Sequence, residues 1–261
     1  MKFCSLFSGS SGNCIFVSSN ETRILIDAGL SGKTIESALC SIGETGKEID
    51  GILITHEHSD HIKGVGVLSR KYDIPVYATP KTWGAIGTSI GAIKEHNLKT
   101  IDNNILNIKD LDIVKYSTSH DAADPSGYSL SCSGKKISIT TDLGYFSDDI
   151  KDQIMDSDII LLESNHDIEM LKFGPYPYYL KRRILSDEGH LSNDACAEAI
   201  IKIVNGSKKN IILGHLSKTN NFPDLAYKTV FNALMDAGID LKKEINIAVA
   251  KRSEPSNYIE I

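Results

Sequence analysis

The 261-residue sequence is notable first for what it lacks. No stretch approaches the ~18 consecutive apolar residues that would span a bilayer. The first residues, Met1-Lys2-Phe3-Cys4-Ser5, lead into no apolar core of the kind a secretory leader carries. Both point to a cytoplasmic protein without membrane contact. Cysteine is sparse and odd in number (Cys4, Cys14, Cys40, Cys132 and Cys196), with no CxxC pair. That excludes a disulfide framework and a thiolate zinc knuckle, and leaves free thiols packed as small hydrophobes. There is no internal repeat, no low-complexity tract and no Pro/Ser-rich linker. An excess of positive charge is also missing: the formal net charge is −6. The chain is therefore no indiscriminate coat for nucleic acid, although a local basic edge remains compatible with it.

What is present is enough apolar material, 41%, to build a sizeable core. It falls in short β-branched runs: Cys14–Ser18, Arg23–Asp27, Gly51–Thr55, Ile113–Tyr116, Lys136–Thr141, Ile159–Glu163 and Asn210–Gly214. Several are apolar almost throughout, as strands covered on both faces are. Helical patterns lie between them, at Thr34–Ile42, at Ser192–Val204 behind a Ser192 cap, and at Ala226–Ala237 before Gly238. The pattern predicts one domain over 1–261, built of sheets covered by helices. One stretch differs in character. Phe173–Arg183, FGPYPYYLKRR, reads as an exposed arm or long loop within about 168–190.

The strongest chemical signal is Thr55-His56-Glu57-His58-Ser59-Asp60-His61, between an apolar strand and a helical stretch beginning near Ile62. In extended backbone His56 and His58 point to the same side, while Asp60 and His61 fall at the next helix start, where Ser59 or Asp60 is placed to cap. One loop thereby offers two imidazoles in one direction and a carboxylate with an imidazole in another. Composition alone produces such a run in a chain of this length about six times in ten thousand. Further candidates repeat one grammar, an apolar strand followed by a polar ligand: His120, Asp142 and His215.

HxHxDH followed by His120, Asp142 and His215 resembles the metallo-β-lactamase-fold hydrolases over nearly the whole chain. Leu25-Ile26-Asp27-Ala28-Gly29 is similar to that family's early strand motif, whose Asp supports the metal loop. The resemblance implies an α+β fold, the four-layer αβ/βα sandwich of two mixed β-sheets flanked by helices. It also implies a dinuclear site, with His56, His58 and His120 on one ion, Asp60, His61 and His215 on the other, and Asp142 bridging. An imidazole and carboxylate set suits Zn²⁺ or Mn²⁺, and also Fe²⁺. His58, where the family's di-iron redox members carry Glu, favours hydrolysis; the absence of a cysteine ligand separates the chain from many true β-lactamases.

Two such ions lower the pKa of bound water, share a hydroxide for attack and neutralise the developing charge. Asp60 can also orient that hydroxide. His190, paired with Glu163, is similar to the His/Glu proton shuttle of metallo-β-lactamase-fold nucleases; His166 and Asp167 are rivals to Glu163. His96 reads as a surface residue. The segments Ser8-Gly9-Ser10-Ser11-Gly12-Asn13, Glu163-Ser164-Asn165-His166-Asp167, Gly189-His190-Leu191-Ser192-Asn193 and Gly214-His215-Leu216-Ser217 narrow the resemblance to the YycJ/WalJ branch. That branch implies DNA exonuclease activity, with DNA as the partner. In this light Tyr176, Tyr178 and Tyr179 offer stacking surfaces, and Lys181, Arg182 and Arg183 offer charge for phosphates, against an ordinary solvated helix start. Ser10, Ser11 and Asn13 are explained either as hydrogen-bonding groups near the metals or as a tight turn. The competing functional expectations are a hydrolase of small phosphodiesters or thioesters and a non-catalytic metal-binding regulator.

Overall fold

In this computed structural model residues 1–241 and 243–261 are described. The first half of the chain forms β1 (Lys2–Phe7), β2 (Cys14–Ser18), β3 (Arg23–Ile26), α1 (Gly32–Ser41), β4 (Gly51–Leu53), α2 (Ser59–Ile62), α3 (Val65–Tyr72), β5 (Val76–Ala78), α4 (Pro80–Ile86) and β6 (Leu98–Thr100). The second half forms β7 (Ile105–Ile108), β8 (Leu111–Ser117), β9 (Ser126–Cys132), β10 (Lys135–Thr140), α5 (Asp148–Ile154), β11 (Ile159–Glu163), α6 (Ile168–Phe173), α7 (Tyr178–Ile184), α8 (Asn193–Ile203), β12 (Lys209–Gly214), α9 (Pro223–Asp236) and β13 (Ile245–Val249). A final strand, β14 (Ile259–Glu260), returns to pair with β1.

The strands make two seven-stranded sheets, ordered β14-β1-β2-β3-β4-β5-β6 and β13-β12-β11-β10-β9-β8-β7. Each is mixed in the same way. β1–β3 and β7–β10 run as antiparallel meanders, and β3–β6 and β10–β13 pair in parallel. Strand periodicity of two explains the layers. In β3, Ile24 and Ile26 enter the core between the sheets, and Leu25 faces the core under α1 and α3. In β11, Ile159 and Leu161 face the other sheet, and Ile160 and Leu162 face α8 and α9. Fully apolar strands are thus buried on both faces, which gives the expected αβ/βα sandwich.

Most expected elements lie within two residues of their predicted bounds, and Ser192 caps α8 by accepting the N–H of Ala195. Three local expectations need correction. Of the two readings for Phe173–Arg183, the long loop is replaced by a hairpin of two short helices, α6 and α7, while the exposed arm holds, with Phe173, Tyr178 and Tyr179 exposed; Asp167 caps α6 by accepting the Met170 N–H, and the Gly-Pro-Tyr-Pro turn separates the helices. The helix after the histidine motif starts at Ser59, so the N-cap is His58, without a side-chain cap bond, and Asp60 lies in the first turn. Finally, Cys40 is exposed and Cys132 half-buried; only Cys4, Cys14 and Cys196 are packed as core.

Candidate metal centre

The parallel strands of both sheets end at one edge, and the candidate residues sit on the segments that leave those ends. Asp27 follows β3, His56 to His61 follow β4, Asp142 follows β10, Glu163 ends β11 and His215 follows β12. His120 leaves β8. Asp27, Asp142 and His215 all have positive φ (60°, 57° and 54°). Left-handed backbone at a non-glycine residue costs about 1–3 kcal/mol, and three instances at one sheet edge mark a site where side-chain direction is held against local preference.

Two groups of imidazoles form around Asp142. On one side His56 Nε2 lies 3.1 Å from His58 Nδ1, and the His120 ring is 5.1 Å from each of theirs, centroid to centroid. On the other side His61 and His215 stack at 5.9 Å, and Asp60 Oδ2 lies 3.6 Å from His61 Nε2. The Asp142 carboxylate divides between them. Its Oδ1 is 3.8 Å from His120 Nε2; its Oδ2 is 3.4 Å from His61 Nε2 and 3.2 Å from His215 Nδ1. Burial opposes the Asp142 charge, but His215 and His61 outweigh it and hold the carboxyl well below the carboxylate range.

This cluster fits divalent cations. His56, His61, His120, Asp142 and His215 are buried, yet Asp142 Oδ2 and His215 Nδ1 make no hydrogen bond. Buried ring nitrogens and carboxylate oxygens left without hydrogen-bond partners are costly unless a cation satisfies them. His56, His58 and His120 form one set of atoms close enough to share an ion, and His56, His61 and Asp142 form another. A third set joins Asp142 and His215 to Glu163 and His190.

The loop is held from behind. Asp27 Oδ1 accepts the Thr55 N–H at 2.9 Å, and Oδ2 meets Thr55 Oγ1 at 2.8 Å and His61 Nδ1 at 2.7 Å. With Nδ1 so engaged, His61 turns Nε2 towards Asp60 and Asp142, the usual way in which an outer carboxylate orients a metal-binding imidazole. Gly29 permits this approach: a Cβ there would lie 1.6 Å from Asp60 O and 2.7 Å from Asn13 N. In the 8–13 segment the turn is present, and of Ser10, Ser11 and Asn13 only Asn13 contacts a candidate ligand among the described residues, Ser10 and Ser11 being exposed. Gly12 N–H closes a turn on Gly9 O, and Asn13 Nδ2 lies 3.0 Å from His61 Nε2.

Glu163 is fully buried and serves His190. Its Oε1 lies 2.7 Å from His190 Nδ1, while Oε2 accepts N–H bonds from Leu143 and Leu191. Burial works against a charge on His190, and the Glu163 carboxylate more than offsets it, raising its pKa to about 9. The rivals stand apart: Asp167 caps α6, and neither ring nitrogen of His166 has a hydrogen-bond partner among the described residues, burial depressing its pKa to about 4. His96 is exposed, beside Asp73.

A recess of about 160 Å³ opens beside His120 and His190, with Ser10 and Asn165 on one wall and Tyr176, Leu180 and Arg183 of the hairpin on the other. The hairpin carries exposed Phe173, Tyr178 and Tyr179. Its basic triplet is partly engaged. Lys181 Nζ donates to Lys172 O, Arg183 pairs with Asp121, and Arg182 is exposed, 6.0 Å from the Tyr178 ring centre. Asp121 was not singled out from sequence, although its pair with Arg183 ties the hairpin to the segment that carries His120; its only signal was adjacency to that histidine. Arg252, whose stem lies against Gly9, was also missed, and nothing local in its sequence marks it.

Residues 22–215 match the family model described as beta-lactamase superfamily domain. The chain is 42% identical to exodeoxyribonuclease YycJ of Bacillus anthracis over 248 residues, covering 95% of this chain and 94% of that protein. It is 44% identical to exodeoxyribonuclease WalJ of Streptococcus pneumoniae, covering 92% of each. Among solved structures, Zn²⁺-bound PqqB from Methylobacterium extorquens superposes with a TM-score of 0.73 at 17% identity, over 98% of this chain and all of that one. That likeness concerns the fold.

Proposed function

Because the chain belongs to the beta-lactamase superfamily, in the family of the YycJ and WalJ proteins, we propose that it is a metal-dependent exodeoxyribonuclease. One structural observation carries the hydrolytic reading: the Asp142 carboxylate lies between two imidazole groups, with the His190–Glu163 pair beside it. We assign His56, His58 and His120 to one divalent ion, Asp60, His61 and His215 to a second, and Asp142 to both. Zn²⁺ and Mn²⁺ suit this donor set, and Fe²⁺ is compatible with it. Ions held there neutralise charge on the scissile phosphate and lower the pKa of an attacking water.

The chain's own residues supply position and protons. Asp60, the most exposed of the acidic ligands, orients the attacking water by accepting its hydrogen bond. His190 gives up a proton to the departing sugar oxygen. Its Nδ1–H donates to Glu163, which leaves Nε2 for the cleft, and the raised pKa keeps the ring protonated at neutral pH. The exposed Tyr178 and Arg182 supply a stacking face and a charge for the DNA strand, with Lys181 and Arg183 fixing the hairpin that carries them. Among the described residues no helix is long and apolar enough to cross a membrane, and all five cysteines are free; both support the reading of a cytoplasmic enzyme.

The test is hydrolysis of end-labelled single-stranded and duplex DNA, and of bis(p-nitrophenyl) phosphate, by protein loaded with Mn²⁺ or Zn²⁺. Release of mononucleotides from DNA is expected. Turnover of the small ester alone would replace this reading with a small-phosphodiester hydrolase.

A further inference from the structure

Of the five arginines, three have their guanidinium groups engaged: Arg23 with Glu44, Arg70 with Ile90 O and Ala92 O, and Arg183 with Asp121. Arg182 is exposed to solvent. Arg252 differs from all four. It is half-buried, its Nη1 is fully enclosed without a hydrogen-bond partner, and it joins no ion pair among the described residues. Glu254, two residues on, is taken by Lys251 at 2.9 Å.

The fold brings this cation against the turn that holds the His215 backbone. Ala250 N–H donates to Leu213 O at 2.9 Å, which pins the chain leaving β13 beside the end of β12, two residues before His215. The Arg252 stem then lies along Gly9: a Cβ at Gly9 would sit 3.5 Å from Arg252 Cγ and 3.2 Å from Leu216 O. Ser8, the neighbour of Gly9, accepts the His215 N–H at 2.8 Å. A cavity of about 380 Å³ is shared by Ser8, Leu216 and Arg252. On the other side of the same turn, Ser10 and Tyr176 line the recess that reaches His120 and His190, and Tyr176 lies within electrostatic reach of Arg252. Lys218, exposed and without an ion pair among the described residues, adds a second cation next to Ser217 on the wall of that recess.

On the nuclease reading, we propose that Arg252 is a phosphate-binding residue, which holds a backbone phosphate of the substrate strand next to the scissile one, on the His215 side of the metal centre. A half-buried guanidinium without a counter-ion is stabilised by an oxyanion at the part of its fork still open to solvent, and that planar fork matches a phosphate's oxygens. Among the described residues Arg252 joins no ion pair, Glu254 of the same cavity being held by Lys251, so the substrate supplies the oxyanion. Small diesters, which have only the scissile phosphate, do not reach Arg252.

The experiment uses the metal-loaded enzyme hydrolysing bis(p-nitrophenyl) phosphate, with single-stranded octathymidylate as competitor at a series of KCl concentrations. Arg252→Ala is expected to hydrolyse the small diester within twofold of wild type. Its inhibition constant for the octathymidylate should rise about tenfold, and the slope of log Ki against log[KCl] should fall by about 0.7, the share of one phosphate contact on a single strand. Arg252→Lys should restore the slope and part of the affinity, and Lys47→Ala, at a residue that precedes β4 at the end away from His56, should match wild type. An unchanged Ki and slope in Arg252→Ala, failure of the oligonucleotide to inhibit wild type, or a parallel loss of small-diester activity would each overturn the proposal. Wild type that is inhibited by octathymidylate without releasing nucleotides from DNA would leave this subsite standing and remove the nuclease reading instead.

Discussion

Glu163 Oε1 lies 2.7 Å from His190 Nδ1 at the bottom of a recess that opens on His120, and the carboxylate's other oxygen is bound by two backbone N–H groups. The carboxylate is thus fixed before substrate arrives, and it sets both the orientation and the charge of the imidazole. His190→Ala is expected to retain its metal, measured by elemental analysis, while kcat on DNA falls about 10²–10⁴-fold, the usual range for loss of a general acid. Equal loss of metal and activity would make His190 a ligand.

Glu163→Gln keeps the shape of the pair and removes its charge. The imidazolium then loses the group that raises its pKa, so the alkaline limb of the activity profile should move to lower pH. The sign follows from the role: an acid must be protonated, and activity is lost as pH rises through its pKa. A purely structural Glu163 would lower kcat without moving the limb.

Asp27 touches the candidate ligands only from behind, through Thr55 and His61. Asp27→Asn tolerates the left-handed backbone at this position but withdraws the carboxylate from His61 Nδ1. Metal affinity should fall about 10–100-fold, read by competition with a chromogenic chelator, with little change in far-UV circular dichroism. Unchanged affinity would contradict this role.

Gly29→Ala should be more damaging than its single methyl suggests, because that methyl would collide with Asp60 O and Asn13 N. The expected result is a lowered melting temperature together with loss of bound metal. A variant of wild-type stability and metal content would show that the loop can relax around it.

Stability should fall at alkaline pH. Burial raises the thiol of Cys4 to about 11 and those of Cys14 and Cys196 well above their ordinary value. Unfolded thiols lose protons from about pH 8.5 while the folded ones keep them, so their contribution is complete below that pH and is lost as pH rises through the folded values. Urea titrations between pH 8 and pH 11 should show a falling midpoint, less steeply in Cys196→Ala than in wild type.

How much of this was legible in the sequence follows from range. His56 to His61 lie within one loop, so their spacing alone displayed the chemistry. Asp142 and His215 were visible because each follows a strand whose apolar run is unmistakable. The hairpin over 168–190 was not, because Gly174, Pro175 and Pro177 break the helical period just where two short helices meet. Arg252 was invisible for a different reason. Its neighbour Gly9 is remote in the chain, and only the packing of β13 beside β12 brings the two together.

The central claim, metal-dependent removal of nucleotides from DNA ends, is tested most directly by one substrate pair. Linear duplex DNA and the same DNA as a covalently closed circle are incubated with metal-loaded wild type, and released mononucleotides are measured. The linear form should be degraded, the circle should stay intact, and a chelator should abolish the reaction. No release from linear DNA, or equal cutting of the circle, would contradict the account.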